Sequence, residues 1–377
     1  MCPTPGASLP QFATRWPARC WRARSVGAVV TPGGAVGVII NPWAGKDVRR
    51  LHAPVGHTPD STKIGIVRRV VVAALDAGAS TVYAAADTGR IAQRAMRGID
   101  QAVLVDGPGT GSALDTRRAA AQLFELGCTP IVVLGGDGTC RDVAIGAPDA
   151  TLVAISTGTN NVFPRFVDGS SAGTAAGLLA AARVDEAGLV RRTKRLEITV
   201  THPDGRSDID IALVDVAAVR ASDQGARAVV RAETVTAVVA AIAHPTSTGL
   251  SAIPGRVHPL DRDEDGAVHV VLAPVEGCTR RVRVPIVPGY VDVLGIAAVN
   301  LIAHGDGVTI DGPCVLAYDG ERERMVPAGA TATVAVRRNG PFVVDIDRTL
   351  LFAARHHLFD LPNSAPRPTT PEAHHGH

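Results

Sequence analysis

Residues 131–144 read IVVLGGDGTCRDVA. A β-branched apolar run, Ile131 to Leu134, meets Gly135, Gly136, Asp137, Gly138 and Thr139, and a short helical pattern follows at once. A short continuous apolar run suits a strand buried on both faces, and the carboxyl ends of such strands are where open α/β sheets take their ligands. Glycines there let backbone N–H groups approach an anion with no Cβ in the way, and the next helix offers its N-terminus to phosphate. Asp137 is foreign to an anion cradle. It would repel phosphate unless it ligates Mg2+ or takes a proton from an attacking hydroxyl, and both tasks belong to phosphoryl transfer. The plain alternative is a tight turn with Asp137 as a helix cap.

Outward from this stretch, apolar strands alternate with helical patterns. VGVII (from Val36), TVYAAA (from Thr81), AVLV (from Ala102), IVVL and TLVAI (from Thr151) read as strands, and IGIVRRVVVAALDAG reads as a helix stopped by Gly78. This alternation predicts a parallel sheet covered on both faces over residues 35–192. From Thr193 the texture changes. LEITV, DIDIALVDVAAV, VHVVLAPV, RRVRVPIVP and TATVAVRR are separated by turn chemistry such as HPDG, DEDG and HGDG. A mainly antiparallel β domain is therefore expected over 193–350, followed by a C-terminal segment, 351–377, with a polar, Pro-rich tail. Residues 1–34 hold Arg15, Arg19, Arg22 and Arg24, no acid and several prolines, and are read as a disordered extension.

Composition narrows the class. Of 377 residues, 46% are apolar and only 3% aromatic, so the core must be built from Ala, Val, Leu and Ile. The formal charge of +2 is scattered, which argues against nucleic acid or a membrane surface as partner. No apolar run reaches the ~20 residues of a membrane span. Six cysteines lack any C-x-x-C pairing and read as free thiols of a reducing cytoplasm. Small-molecule nucleotides are the expected partners, and a homo-oligomer is left open.

Two more loops follow parallel strands. INPWAGK (Ile40 to Lys46) ends the first strand, and STGTNNVFP (Ser156 to Pro164) ends the strand after IVVL. The βα order puts all three loops at one sheet edge. GGDGT after VVL, INPWAG and GTNN together resemble the NAD kinase/diacylglycerol kinase superfamily. AISTGTNNVFP is most similar to the branch that contains the acetoin-catabolism protein X proteins. The resemblance covers roughly Val36 to Arg348. HPTSTGLSAIPG (His244 to Gly255) and LAYDGERE (Leu316 to Glu323) resemble the Pro-Thr loop and the Asp-Gly strand end of those kinases.

The resemblance implies a Rossmann-like parallel-sheet domain followed by a β-rich domain, with the site between them. It implies ATP or polyphosphate as phosphoryl donor, Mg2+, and NAD as acceptor, giving NADP. It assigns catalysis to Asp137 and Glu321 and the metal to Asp137. Nucleotide contacts fall to Asn41, Gly45, Gly135, Gly136, Gly138, Thr139, Thr157, Gly158, Thr159, Asn160, Asn161, Asp215, Thr246, Asp319 and Gly320. Three departures stand out: Val214-Asp215 replaces the Asn-Glu of NAD kinases, Ser247 and Leu250 stand near a Gly and a Tyr, and GTNN replaces the Gly-Thr-Gly-Asn-Asp of lipid kinases. A lipid or small-alcohol kinase and a non-catalytic nucleotide-binding regulator therefore remain as rivals.

Overall fold

The computed structural model describes residues 34–45, 58–107, 109–158, 161–220, 232–287, 289–319 and 322–360. The expected extension up to residue 33 and the tail from 361 lie outside the described residues. Five strands appear where the apolar runs stand: β1 (Ala35–Ile40), β2 (Thr81–Ala85), β3 (Ala102–Val105), β4 (Cys128–Gly135) and β5 (Thr151–Ser156). Between and after them run α1 (Asp60–Asp76), α2 (Ile91–Ala95), α3 (Ala113–Glu125), α4 (Asp137–Gly146) and α5 (Gly169–Ala180). The strands pair in parallel in the order β3-β2-β1-β4-β5. Helices α1 and α5 cover one face, while α3 and α4 cover the other.

Beyond β6 (Val190–Arg192) the chain turns to β structure. It builds β7 (Arg195–Thr201), β8 (Ser207–Ala212), β9 (Asp215–Arg220), β10 (Val235–Ala240), the short helix α6 (Ala252–Val257) and β11 (Ala267–Ala273). Strands β12 (Arg281–Val287), β13 (Tyr290–Ile302), β14 (Gly307–Asp311), β15 (Cys314–Tyr318), β16 (Arg322–Val326) and β17 (Thr331–Arg337) complete this half. Among the described residues they form two antiparallel sheets, ordered β12-β13-β11-β10-β9-β15-β16 and β14-β17-β7-β8. Alternating apolar residues of both sheets, such as Ile198 and Val334 against Ala218 and Leu316, meet in one buried core.

The chain then returns. Strand β18 (Phe342–Val344) pairs in parallel with β5 and antiparallel with β6, and α7 (Ile346–Arg355) packs on α5. Val344, Ile346 and Ala353 accordingly belong to the core of the first half. The outward and returning segments are tied to each other: Thr193 N and Oγ1 donate to the Pro341 carbonyl at 3.0 and 2.7 Å, and Gly340 N donates to Thr193 O at 3.0 Å. A further core crosses between the halves and joins Val133, Cys140 and Phe163 to Leu213, Val214 and Ile242. Among the described residues no helix is long and apolar enough to cross a membrane.

The helical pattern from Ala172 is realised two turns shorter at its end than its alanines suggest. The chain leaves the helix at Ala182, whose φ is +51°, and Ala182 N and Arg183 N close back on Leu179 O and Leu178 O. Within α5, Gly169, Gly173 and Gly177 recur every fourth residue and so share one face. Each faces a carbonyl of α1: a Cβ would sit 2.5 Å from Ile66 O, 2.3 Å from Val70 O and 2.2 Å from Ala74 O, respectively. Backbone carbonyls cannot swing aside like a side chain. Gly173→Ala is therefore expected to destabilise the protein by ~1–3 kcal/mol through overpacking, although alanine is the better helix former by ~1 kcal/mol. Urea unfolding checks this, and an unchanged or raised midpoint would show that the helices can separate at little cost.

Candidate active site

The parallel register sets the stage. Ile40 pairs with Leu134, and Gly135 pairs with Ser156, so the loops after β1, β4 and β5 leave the sheet side by side. Their close approach depends on missing side chains. A Cβ at Gly135 would lie 2.6 Å from the Thr139 side chain, and one at Gly45, where φ is +72°, would lie 2.6 Å from Thr157 O. The Asn161 side chain fills the space over Gly136 and Gly158, where added Cβ atoms would meet it at 2.8 and 2.9 Å.

Several residues expected to contact a nucleotide are bonded to neighbouring loop residues. Asn41 Nδ2 donates to Thr139 Oγ1 at 2.9 Å, and its Oδ1 accepts from Trp43 N. Asn161 Nδ2 donates to Ser156 Oγ at 2.8 Å. Thr58 Oγ1 donates to Thr157 O at 3.0 Å. These bonds brace the three loops against each other. Lys63, which sequence reading passed over, is fully buried in α1 and donates from Nζ to Pro42 O at 2.7 Å, pinning the first loop from beneath.

Asp137 opens α4 and is nearly buried. Its Oδ1 accepts from Val162 N at 3.0 Å and Phe163 N at 2.8 Å, while Oδ2 has only a 3.2 Å contact with Val162 N. Oδ2 is thus the oxygen with lone pairs to offer. Asp319 ends β15 with φ at +48°, a left-handed conformation, and is also buried. Its two oxygens accept from Leu213 N and Val214 N, both at 2.9 Å. Asp215 is the third buried acid.

The three carboxyls act on one another through low-dielectric surroundings. Burial pushes Asp137 up to about 7 from an ordinary 3.8, the charge on Asp319 adds to this, and the Val162 and Phe163 N–H groups and Arg262 oppose it. Asp215 is raised well above the usual carboxylate range, first by burial and then by Asp319 and Asp137. Asp319 is raised by burial, with the Arg141 guanidinium opposing. Arg262 reaches over from the β-rich half: it hydrogen-bonds the Phe163 carbonyl and lies 4.6 Å from that ring's centroid.

Thr246 is exposed, and its hydroxyl lies 2.7 Å from His244 Nδ1. Thr159, Asn160, Gly320 and Glu321 lie outside the described residues. The glycine loop at 107–112 ends in a helix cap, since Ser112 accepts from Leu114 N at the start of α3. Among the described residues no three His, Cys, Asp or Glu side chains are placed to hold a metal. Lys63, Arg141 and Arg262 were missed because a single basic residue carries no spacing signal.

This arrangement suits proton transfer beside an anion. The first-turn N–H groups of α4 follow Gly136, which caps the helix with no side chain, and a helix start of this kind is open to an anion. Thr157 Oγ1 is buried with no hydrogen-bond partner. Both features fit phosphate oxygens.

Comparison with known proteins agrees with this architecture. The family model for the ATP-NAD kinase N-terminal domain matches residues 36–183, and that for the acetoin catabolism protein X C-terminal domain matches 194–339. The acetoin catabolism protein X of Cupriavidus necator is 31% identical over 356 residues, spanning 91% of this chain and 98% of its own. Among solved structures, yeast NADH kinase complexed with NADH superposes with a TM-score of 0.51 at 14% identity, covering 90% of this chain and 91% of that one. At that identity the likeness is one of fold: a parallel-sheet α/β half followed by a β-rich half.

The raised Asp137 carboxyl has a consequence for stability. The folded protein keeps a proton there that the unfolded chain loses, so this group's contribution is fully present below an ordinary pKa of 3.8 and is lost as pH rises through about 7. Asp137→Asn is neutral throughout. It should gain on the wild type as pH rises from about 4 to about 7, by at most ~1.4 kcal/mol per pH unit. Paired urea melts across that range check this. A difference that stays constant would mean that Asp137 ionises as an ordinary carboxylate.

Proposed function

The chain belongs to the acetoin catabolism protein X family, and on that premise we propose that it is an ATP-dependent phosphotransferase acting on a small-molecule hydroxyl, with NAD as acceptor and NADP as product. The observation that carries this reading is Asp137: a buried carboxyl with its pKa raised to about 7, one oxygen of which accepts only a single 3.2 Å hydrogen bond, at the mouth of a glycine loop and a helix N-terminus. A general base works best when its pKa lies near the working pH. NAD as acceptor is supported by the ATP-NAD kinase N-terminal model over 36–183.

In the proposed step, Asp137 Oδ2 takes the proton of the acceptor hydroxyl. The hydroxyl oxygen bonds to the terminal phosphorus, the bond from that phosphorus to the bridging oxygen breaks, and the nucleoside diphosphate leaves with the electron pair. The first-turn N–H groups of α4 and the Thr157 hydroxyl orient the phosphates. Gly138, where a Cβ would meet nothing nearer than 3.4 Å, leaves room for the approach. Mg2+ fits as an ion carried on the donor's phosphates, where it would neutralise their charge. Asp137 would be the carboxylate beside it, because among the described residues no set of three ligands is assembled. Asp319 raises Asp137 through its charge and also holds the 213–214 corner. A cytoplasmic location accords with the free thiols of Cys128, Cys140, Cys278 and Cys314.

Purified protein with Mg2+ and labelled ATP, offered NAD, NADH, diacylglycerol and small polyols, tests the reading. NADP is the expected product. Nucleotide binding with transfer only to another alcohol would replace NAD as acceptor, and no nucleotide binding would reject the kinase. In the working enzyme kcat/KM should rise with pH through about 7 as Asp137 loses its proton. Asp137→Asn should lower kcat by ~10²–10⁴-fold. A folded variant with wild-type kcat would remove Asp137 from the chemistry.

A further inference from the structure

We propose that Arg141 is the anion-binding residue of this cleft and that its guanidinium grips an oxygen pair of a phosphoryl group. The assignment refines the site on which the kinase reading rests, but it concerns binding and does not require turnover.

Asp137 and Arg141 stand four residues apart on α4 and so lie on one helix face. Arg141 is only 4% exposed, yet its Nε and Nη1 have no hydrogen-bond partner. Neither neighbouring carboxylate meets that need. Asp142 Oδ1 lies 3.6 Å from Arg141 Nη2, but it already accepts from Arg117 Nε and Nη2 at 3.0 and 2.9 Å. Asp319 has its oxygens filled by Leu213 and Val214 N–H. The guanidinium carbon sits 5.6 Å from the Tyr318 ring centroid, which places the cation beside the strand end that carries Asp319. Gly138 stands next to this gap: a Cβ there would lie 3.9 Å from Arg141 Nη2 and 3.4 Å from Asp319 O.

A buried guanidinium with two nitrogens lacking acceptors is a costly arrangement for the folded chain alone. Arg141 Nη2, 3.6 Å from Asp142 Oδ1, pairs with Nη1 as a planar fork that matches two oxygens of one oxyanion, and the anion-seeking start of α4 lies one turn away. The class that satisfies both is a phosphoryl group. Thr157 Oγ1, also buried and unpartnered, adds a hydroxyl donor at the neighbouring strand end. Arg141 would neutralise phosphoryl oxygens while Asp137, on the same face, serves the hydroxyl. The phosphoryl group could be part of a nucleotide or of inorganic polyphosphate, and the experiment separates the two.

Titration calorimetry of the full chain with sodium tripolyphosphate, ATP and adenosine decides the matter. Wild type should bind tripolyphosphate. Arg141→Met should weaken that binding by about 10²-fold, and Arg141→Lys, which keeps the charge but not the fork, should fall between the two. ATP should follow tripolyphosphate if polyphosphate carries the recognition, and should bind more tightly if the nucleoside adds contacts. Without ligand, the melting temperature of Arg141→Met should equal or exceed that of wild type, because buried donors without acceptors have been removed. A structural strut would give a large drop instead. Tripolyphosphate binding that is absent in wild type, or equally tight in both variants, overturns the proposal. Arg141-dependent binding without any phosphoryl transfer upholds it and sinks the kinase reading. Transfer that is undiminished in Arg141→Met does the reverse.

Discussion

The carboxylate of Asp137, held by the Val162 and Phe163 N–H groups, is the joint on which the cleft is organised. It ties the first turn of α4 to the segment after β5, two elements that the sheet merely places side by side. The same segment is gripped from the other half, since Arg262 bonds the Phe163 carbonyl and stacks on its ring. A buried acid must have donors, and the loop from 161 to 163 is shaped to provide them. The position of the acid therefore depends on both halves of the molecule being docked.

That joint sits in a crowded field. Asp137, Asp215 and Asp319 are all buried; Asp319 makes ionisation of Asp137 harder, and both make ionisation of Asp215 harder. Two guanidinium groups moderate this: Arg262 acts on Asp137, and Arg141 acts on Asp319. The balance leaves an acid that can hold or release a proton near neutral pH, next to donors that want a negative ligand. Local polarity of opposite kinds within one cleft is what moving a hydroxyl proton beside phosphate demands.

The strands and the glycine loop were legible because their signals are local. Gly135 to Thr139 follows a buried run directly, and Gly78 stops α1 as its φ of +114° requires. The polar loop residues were legible in place but not in role. Asn41 and Thr139 bond each other, and Asn161 bonds Ser156, because loops packed this closely must satisfy their own side chains. The basic residues were not legible at all. The carbonyl that Arg262 binds lies 99 positions away, and nothing in DRDEDG hints at it. The return of the chain at β18 was equally hidden, since a three-residue strand next to a parallel sheet has no distinctive pattern.

The paired crossing at Thr193 and Pro341 means that the β-rich half is an insertion with a single doorway. Its first and last residues lie together, so the α/β half is closed in space although interrupted in sequence. Two consequences follow. Both connections run through one place, so the relative placement of the halves is set by the core they share, from Val133 and Phe163 to Leu213 and Ile242, and not by the linkers. And a module whose ends meet can be exchanged as a unit: the glycine loop and Asp137 would remain in the host sheet, while the wall that faces the acceptor arrives with whichever insertion the doorway admits.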